Sequence, residues 1–227
     1  MHSTHPTRML SPVSRLAAFQ NSPIADQFIA EMQQSYAQGL NPDYGPDRAE
    51  LKRLFDHREP LLPNRIVVDG HCIIAYPAAH LNDYIQSCSL VVQRFLQALS
   101  IQQLYLMDFV KTNLLDFPFE NFRKRNQFKR MGSFKSNNMC YQLATAHLHL
   151  VLPVFYLARK WDVPLIFLLT AEGEVPISLR LCDDGNFHLN YHKKYDQQIR
   201  NAAQDAGLKT GNTTLCDQYS VVYFNRN

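Results

Sequence analysis

Residues 164–191 read PLIFLLTAEGEVPISLRLCDDGNFHLNY, and this stretch decides the fold class. Pro164 to Thr170 is an apolar run rich in Ile, Leu and Phe. It predicts a strand. Val175 to Cys182 predicts a second strand, and Asp183-Asp184-Gly185 is a tight-turn signal. Asn186 to Tyr191 is then the return strand, alternating Phe187, Leu189 and Tyr191 with His188 and Asn190. A hairpin of this kind implies a small, mostly antiparallel sheet.

Outward from that hairpin the chain reads mainly as helix. Residues 1–22 are rich in Pro, Ser, Thr and His and predict a frayed start. Ser22, Pro23 and Gly39 bracket a first helix, and a second short helix spans Pro46 to about Arg58. Pro60 and Pro63 close this piece, which sets an N-terminal helical extension at 1–62 and a main domain at 63–227. Arg65 to Val68 predicts a strand. Pro77 to Ala98, Ile101 to about Leu115, Asn138 to Trp161 (kinked at Pro153) and Tyr195 to Ala206 predict helices. Residues 117–135 read as a basic aromatic arm, and Ser220 to Phe224 as a last strand. The class is α+β, helices packed on a small sheet.

Composition removes several function classes. The chain has 227 residues and a formal net charge of +3, too mild to imply a polyanionic partner. Leu148 to Ala158 is interrupted by Pro153 and is too short to span a bilayer, and no signal-peptide core is legible. Cys72, Cys88, Cys140, Cys182 and Cys216 include no CxxC pair, so neither a disulfide framework nor a zinc ribbon is expected. An intracellular, reducing setting follows as the expectation.

Two segments suggest chemistry. Asp69-Gly70-His71-Cys72 puts a thiol after a strand and a turn, where a helix N-terminus would favour the thiolate. Backbone N–H groups of such a turn could hold an oxyanion. His188 and Asn190, two apart on a strand, share a face, as a base and the group that orients it must. Cys88, Cys140, Cys182 and Cys216 have no histidine assigned to them here and read as structural.

In these residues the sequence resembles the OTU (ovarian tumour) cysteine proteases, which remove ubiquitin. Their nucleophile lies in an Asp-Gly-x-Cys motif, here Asp69 to Cys72, and their histidine lies late on a strand, here His188 with Asn190. Residues 64–195 carry the resemblance. It implies a papain-like fold and a Cys72–His188–Asn190 triad acting on isopeptide or peptide bonds at the ubiquitin C-terminus. Asp69 would cap the turn or support the oxyanion region, the capping role being favoured. Gly70, His71, Phe187, Glu172 and Glu174 would contact substrate, the acids facing the arginines of the ubiquitin tail. Ubiquitin or polyubiquitin is the implied partner, with no cofactor. A bacterial effector delivered to host cytosol is one setting that suits.

The resemblance has departures. Pro77 follows Cys72 closely and moves the expected helix start toward Tyr76, and the family's Trp-Gly is replaced by Met131-Gly132. The competing class is a non-enzymatic binding module, or a ubiquitin-binding pseudoenzyme. Arg123, Lys124, Arg125, Lys129, Arg130 and Lys135, interleaved with phenylalanines, could bind nucleic acid or protein. The favoured reading is that the rings anchor this segment and the charges are solvated, with nucleic acid no partner. His147 and His149, two apart on a helix, cannot share an ion, and no metal site is expected.

Overall fold

The computed structural model describes residues 9–25, 28–29, 68–108, 111, 113–117, 119–134, 139–156, 166–173 and 175–220. The helix expected at 46–58, the strand expected up to Val68 apart from that residue, and the strand after Ser220 lie outside them. So does most of the helix expected over 23–38.

The expected hairpin forms, as β6 (Ile177–Leu181) and β7 (Phe187–Tyr191). Their register pairs Arg180 with His188 and Ser178 with Asn190. Gly185 adopts φ 84 in the turn, a left-handed conformation that glycine takes without a Cβ clash. The apolar run becomes β5 (Ile166–Thr170), buried throughout because both faces are covered. The sheet is larger than the sequence implies. Among the described residues it has eight strands in the order β1-β4-β3-β5-β6-β7-β2-β8, and their pairings are antiparallel.

The remaining strands are β1 (Leu10–Ser14), β2 (Gly70–Ala75), β3 (Gln103–Asp108), β4 (Met139–Ala144) and β8 (Lys209–Gly211). Three of them correct expectations. Leu10 to Ser14, expected to fray, pairs along the sheet edge with β4. Ile101 to Leu115 was expected to be a helix; it gives β3, whose buried Leu104 and Leu106 face one core and Tyr105 and Met107 the other. Asn138 to Trp161 begins as β4 and turns into short helical pieces only from Thr145. In both segments, pairing of apolar strands outweighed a weak helical propensity.

One face of the sheet carries the main core. It is covered by α2 (Leu81–Ala98), α3 (Phe122–Met131), α4 (Leu148–Val151) and α5 (Asp196–Ala206). In α2, Tyr84, Cys88, Val91, Val92 and Phe95 recur at helical spacing and are buried. α5 stops at Gly207, φ 90, as the glycine implies.

The other face is covered in two places. At the β1 end, α1 (Arg15–Asn21) and Phe28 pack over Tyr105, Met107, Phe167 and Leu169. Arg15 Nη1 donates to Asp108 O at 2.9 Å, and Ser22 Oγ donates to Thr170 O at 2.7 Å. Ser22 thus ends this helix instead of starting the expected one. At the β8 end, α6 (Thr214–Gln218) lays Leu215 and Cys216 over Ile73 and Ala75.

The basic segment is a helix where an arm was expected. Asn121 caps α3, its side chain accepting from Lys124 N. Phe117, Phe119 and Phe128 meet the ring of Phe155 in the core. Lys124 Nζ donates to Pro153 O at 2.8 Å and Arg125 Nε to Leu115 O at 2.9 Å. The rings anchor this segment, and only Phe122 among its described phenylalanines stands out, 70% exposed.

Candidate metal centre

The strand register separates Cys72 from His188. In β2 against β7, Cys72 lies opposite Leu189 and Ile73 opposite His188. Directly paired residues share a face and neighbours along a strand do not. Cys72 therefore points into the main core with Leu189, while His188 points to the other side. The Cys72–His188 dyad expected from the sequence does not form. Cys72 sits within a strand instead of at a helix start, and it is 1% exposed. Burial raises its thiol pKa, and the nearby Tyr191 hydroxyl only partly offsets this. Such a thiol is a core side chain and a poor nucleophile.

The other expected site residues disperse. Asp69 is exposed and accepts from Lys193 N at 2.6 Å, which lowers its carboxyl pKa and makes it the cap of the turn after β7. Gly70 lets the Tyr191 ring lie across the strand, since a Cβ there would come within 2.5 Å of that ring. Phe187 is buried in the main core, on the face away from His188. Glu172 is exposed in the turn after β5, and Glu174 lies outside the described residues. Asn190 does share a face with His188, and so does His71, whose ring lies 5.8 Å from that of His188.

What His188 meets is a pair of thiols that the sequence reading left as structural. Its Nε2 lies 3.4 Å from Cys216 Sγ, and Cys216 Sγ lies 3.9 Å from Cys182 Sγ. All three donor atoms fall within 4.8 Å of one another. Three separate elements supply them. Cys182 follows β6 and is held opposite Asn186 by a bond from Cys182 N to Asn186 O of 2.9 Å. His188 is two residues further along β7, on the same face. Cys216 descends from α6 above them.

Burial works against a thiolate at both sulfurs, and nearby polar groups work for one. The backbone N–H groups of Asn186 and Asp184 bond Cys182 and pull its thiol pKa down. Burial and the neighbouring Cys216 outweigh them and push it up to about 12. Burial also raises Cys216, against the opposing influence of the neighbouring Cys182 thiol and Asn186 side chain. The hairpin turn is fixed from the opposite face as well, because the Tyr84 hydroxyl donates to Gly185 O at 2.5 Å.

His188 is set up as a ligand better than as a base. Burial first, then the charge of Arg180 and the adjoining His71, push its pKa down to about 4. The imidazole is thus neutral at pH 7, the form that binds metal. Arg180 Nη2 lies 3.2 Å from Nδ1, in the place where a catalytic histidine keeps a carboxylate or amide oxygen. A cation there opposes the imidazolium that thiol deprotonation would create. The Cys182–Cys216 and Cys216–His188 distances suit a tetrahedral ion. With Zn–S of about 2.3 Å and Zn–N of about 2.05 Å, tetrahedral angles require separations of roughly 3.8 Å for S···S and 3.6 Å for S···N. A disulfide would need about 2.05 Å.

One signal in the sequence could have found this group. Cys182 and His188 flank the Asp-Asp-Gly turn, and hairpin pairing makes them diagonal neighbours on one face. Cys216 lies far along the chain and carries no local signal. Comparison of the chain with protein-family models, curated proteins and solved structures returned no match.

Proposed function

We propose that the chain is a metal-binding protein in which Cys182, His188 and Cys216 hold a thiophilic divalent ion, zinc being the ion of best fit. The observation that carries this is the convergence of the three donors within 4.8 Å of one another, with 3.9 Å between the sulfurs and 3.4 Å from the Cys216 sulfur to the imidazole nitrogen. Two soft thiolates and one imidazole are the donor set that zinc selects. Binding would fasten α6 to the β6–β7 hairpin and neutralise two thiolates that burial otherwise penalises. It requires Nε2 to give up its proton and Nδ1 to carry one, so Arg180 must release Nδ1. Three protein ligands leave a fourth position for solvent or a small ligand.

The cysteine peptidase implied by the resemblance is the competing proposal. The closeness of Cys216 to His188 favours it, with Cys216 in place of Cys72. Arg180 and the lowered pKa of His188 count against it.

One set of measurements separates them. Purified protein is analysed for bound metal and titrated with Co(II), whose thiolate charge-transfer bands report sulfur ligation. The expected result is one ion per chain, lost in Cys182→Ser, Cys216→Ser and His188→Ala and retained in Cys72→Ser. An adduct of Cys216 with ubiquitin carrying a C-terminal electrophile, together with no metal uptake, would reverse the order of the two readings.

A further inference from the structure

Asn186 is buried to 1% exposure at the hairpin, yet neither Oδ1 nor Nδ2 makes a well-formed hydrogen bond. A buried amide left so carries a desolvation penalty with nothing to offset it, and most native proteins hold few of them. Its place in the fold is specific. It lies on the same face as His188, two residues before it, and its backbone carbonyl fixes Cys182. Its side-chain amide lies beside the Cys216 sulfur. A neutral thiol is a weak acceptor and draws the N–H poorly. A metal-bound thiolate is a charged acceptor and would draw it into a proper bond.

We propose that Asn186 is a positioning residue of the centre, its Nδ2–H donating to the Cys216 thiolate once the ion is bound. This rests on the metal reading above. It assigns a role to a residue that binds no metal itself, and it gives a partner to the buried Nδ2. Outer groups of this kind orient ligands, and their loss typically costs 10–100-fold in metal affinity. The backbone N–H groups of Asp184 and Asn186 serve Cys182 in the same way. The two sulfurs would then be supported by one five-residue turn, Cys182 to Asn186.

The test uses the full chain and Co(II) as the probe. Asn186→Leu keeps the branching and heavy-atom count of the side chain and removes its donor. Asn186→Ala adds no atoms and serves if leucine does not fit. A hydrogen bond to sulfur stabilises its lone pair, so losing it should move the sulfur-to-cobalt charge-transfer band to longer wavelength. Co(II) affinity should fall by 10–100-fold in the same variants. A band and an affinity unchanged from the parent in both variants overturn the proposal. Failure of the parent protein to take up Co(II) is a separate result, read before any variant, and it overturns the metal reading itself.

Discussion

Filling the centre should stabilise the fold by an amount the chain path sets. Cys182 and Cys216 are 34 residues apart in sequence. A cross-link closing a loop of that length removes about 13 cal/mol/K of entropy from the unfolded chain, or ~3.8 kcal/mol at 25 °C. For a chain of this size, each kcal/mol moves the melting temperature by about 2–4 °C. The expected gain on metal binding is therefore about 8–15 °C. The figure applies to an ion that bridges both cysteines in the unfolded chain as well; an ion released on unfolding stabilises according to its affinity and free concentration instead. The assay is calorimetric melting of chelator-treated protein, with and without a slight molar excess of Zn(II), in a reducing buffer. Cys182→Ser and Cys216→Ser serve as controls and should show no gain. A gain under about 2 °C in the parent, or an equal gain in either serine variant, would refute the cross-link reasoning.

The other expectations concern single side chains. Cys72→Ala should leave metal uptake intact and cost roughly 1–3 kcal/mol, because it opens a cavity beneath Leu189 in the main core; denaturant titration measures it. Arg180→Met should raise Co(II) affinity, since it removes the cation and the donor that hold His188 Nδ1; a competition titration against a chelator reads the ratio. Tyr84→Phe should destabilise by about 1–3 kcal/mol through the orphaned Gly185 carbonyl, with metal stoichiometry unchanged. Asp196 is held below its ordinary carboxyl value by Arg200 first and Tyr191 second. A lowered folded-state pKa gives stability that is present above the unfolded value and lost as pH falls through the folded one. Asp196→Asn should therefore flatten the acid limb of stability below about pH 4.

The hairpin at 177–191 was legible because its signals are local: an alternating strand, a tight turn and an apolar run of strand length. The end of α5 at Gly207 was legible for the same reason. β3 and β4 were not, since their sequences fit a helix until their partner strands are known. The fate of the catalytic reading turned on register. His188 and Asn190 share a face as expected, because that follows from strand geometry alone. Whether Cys72 shares it depends on which β2 residue lies opposite His188, and that residue is Ile73. A slip of one position would have joined the pair. Cys216 was missed because only the tertiary path of α6 brings it to the hairpin.

The order of the strands bears on how the chain is made. Leu10 waits for Leu143, and β2 finds both of its neighbours, β7 and β8, near the other end of the sequence. Ile73 and Ile74, fully buried in the finished protein, therefore emerge from the ribosome well over a hundred residues before their partners. Pairings so distant in sequence form slowly and leave apolar edges open to other chains meanwhile. The nascent chain should thus depend on chaperones until β7 has emerged, and products ending before Phe187 should accumulate as aggregates.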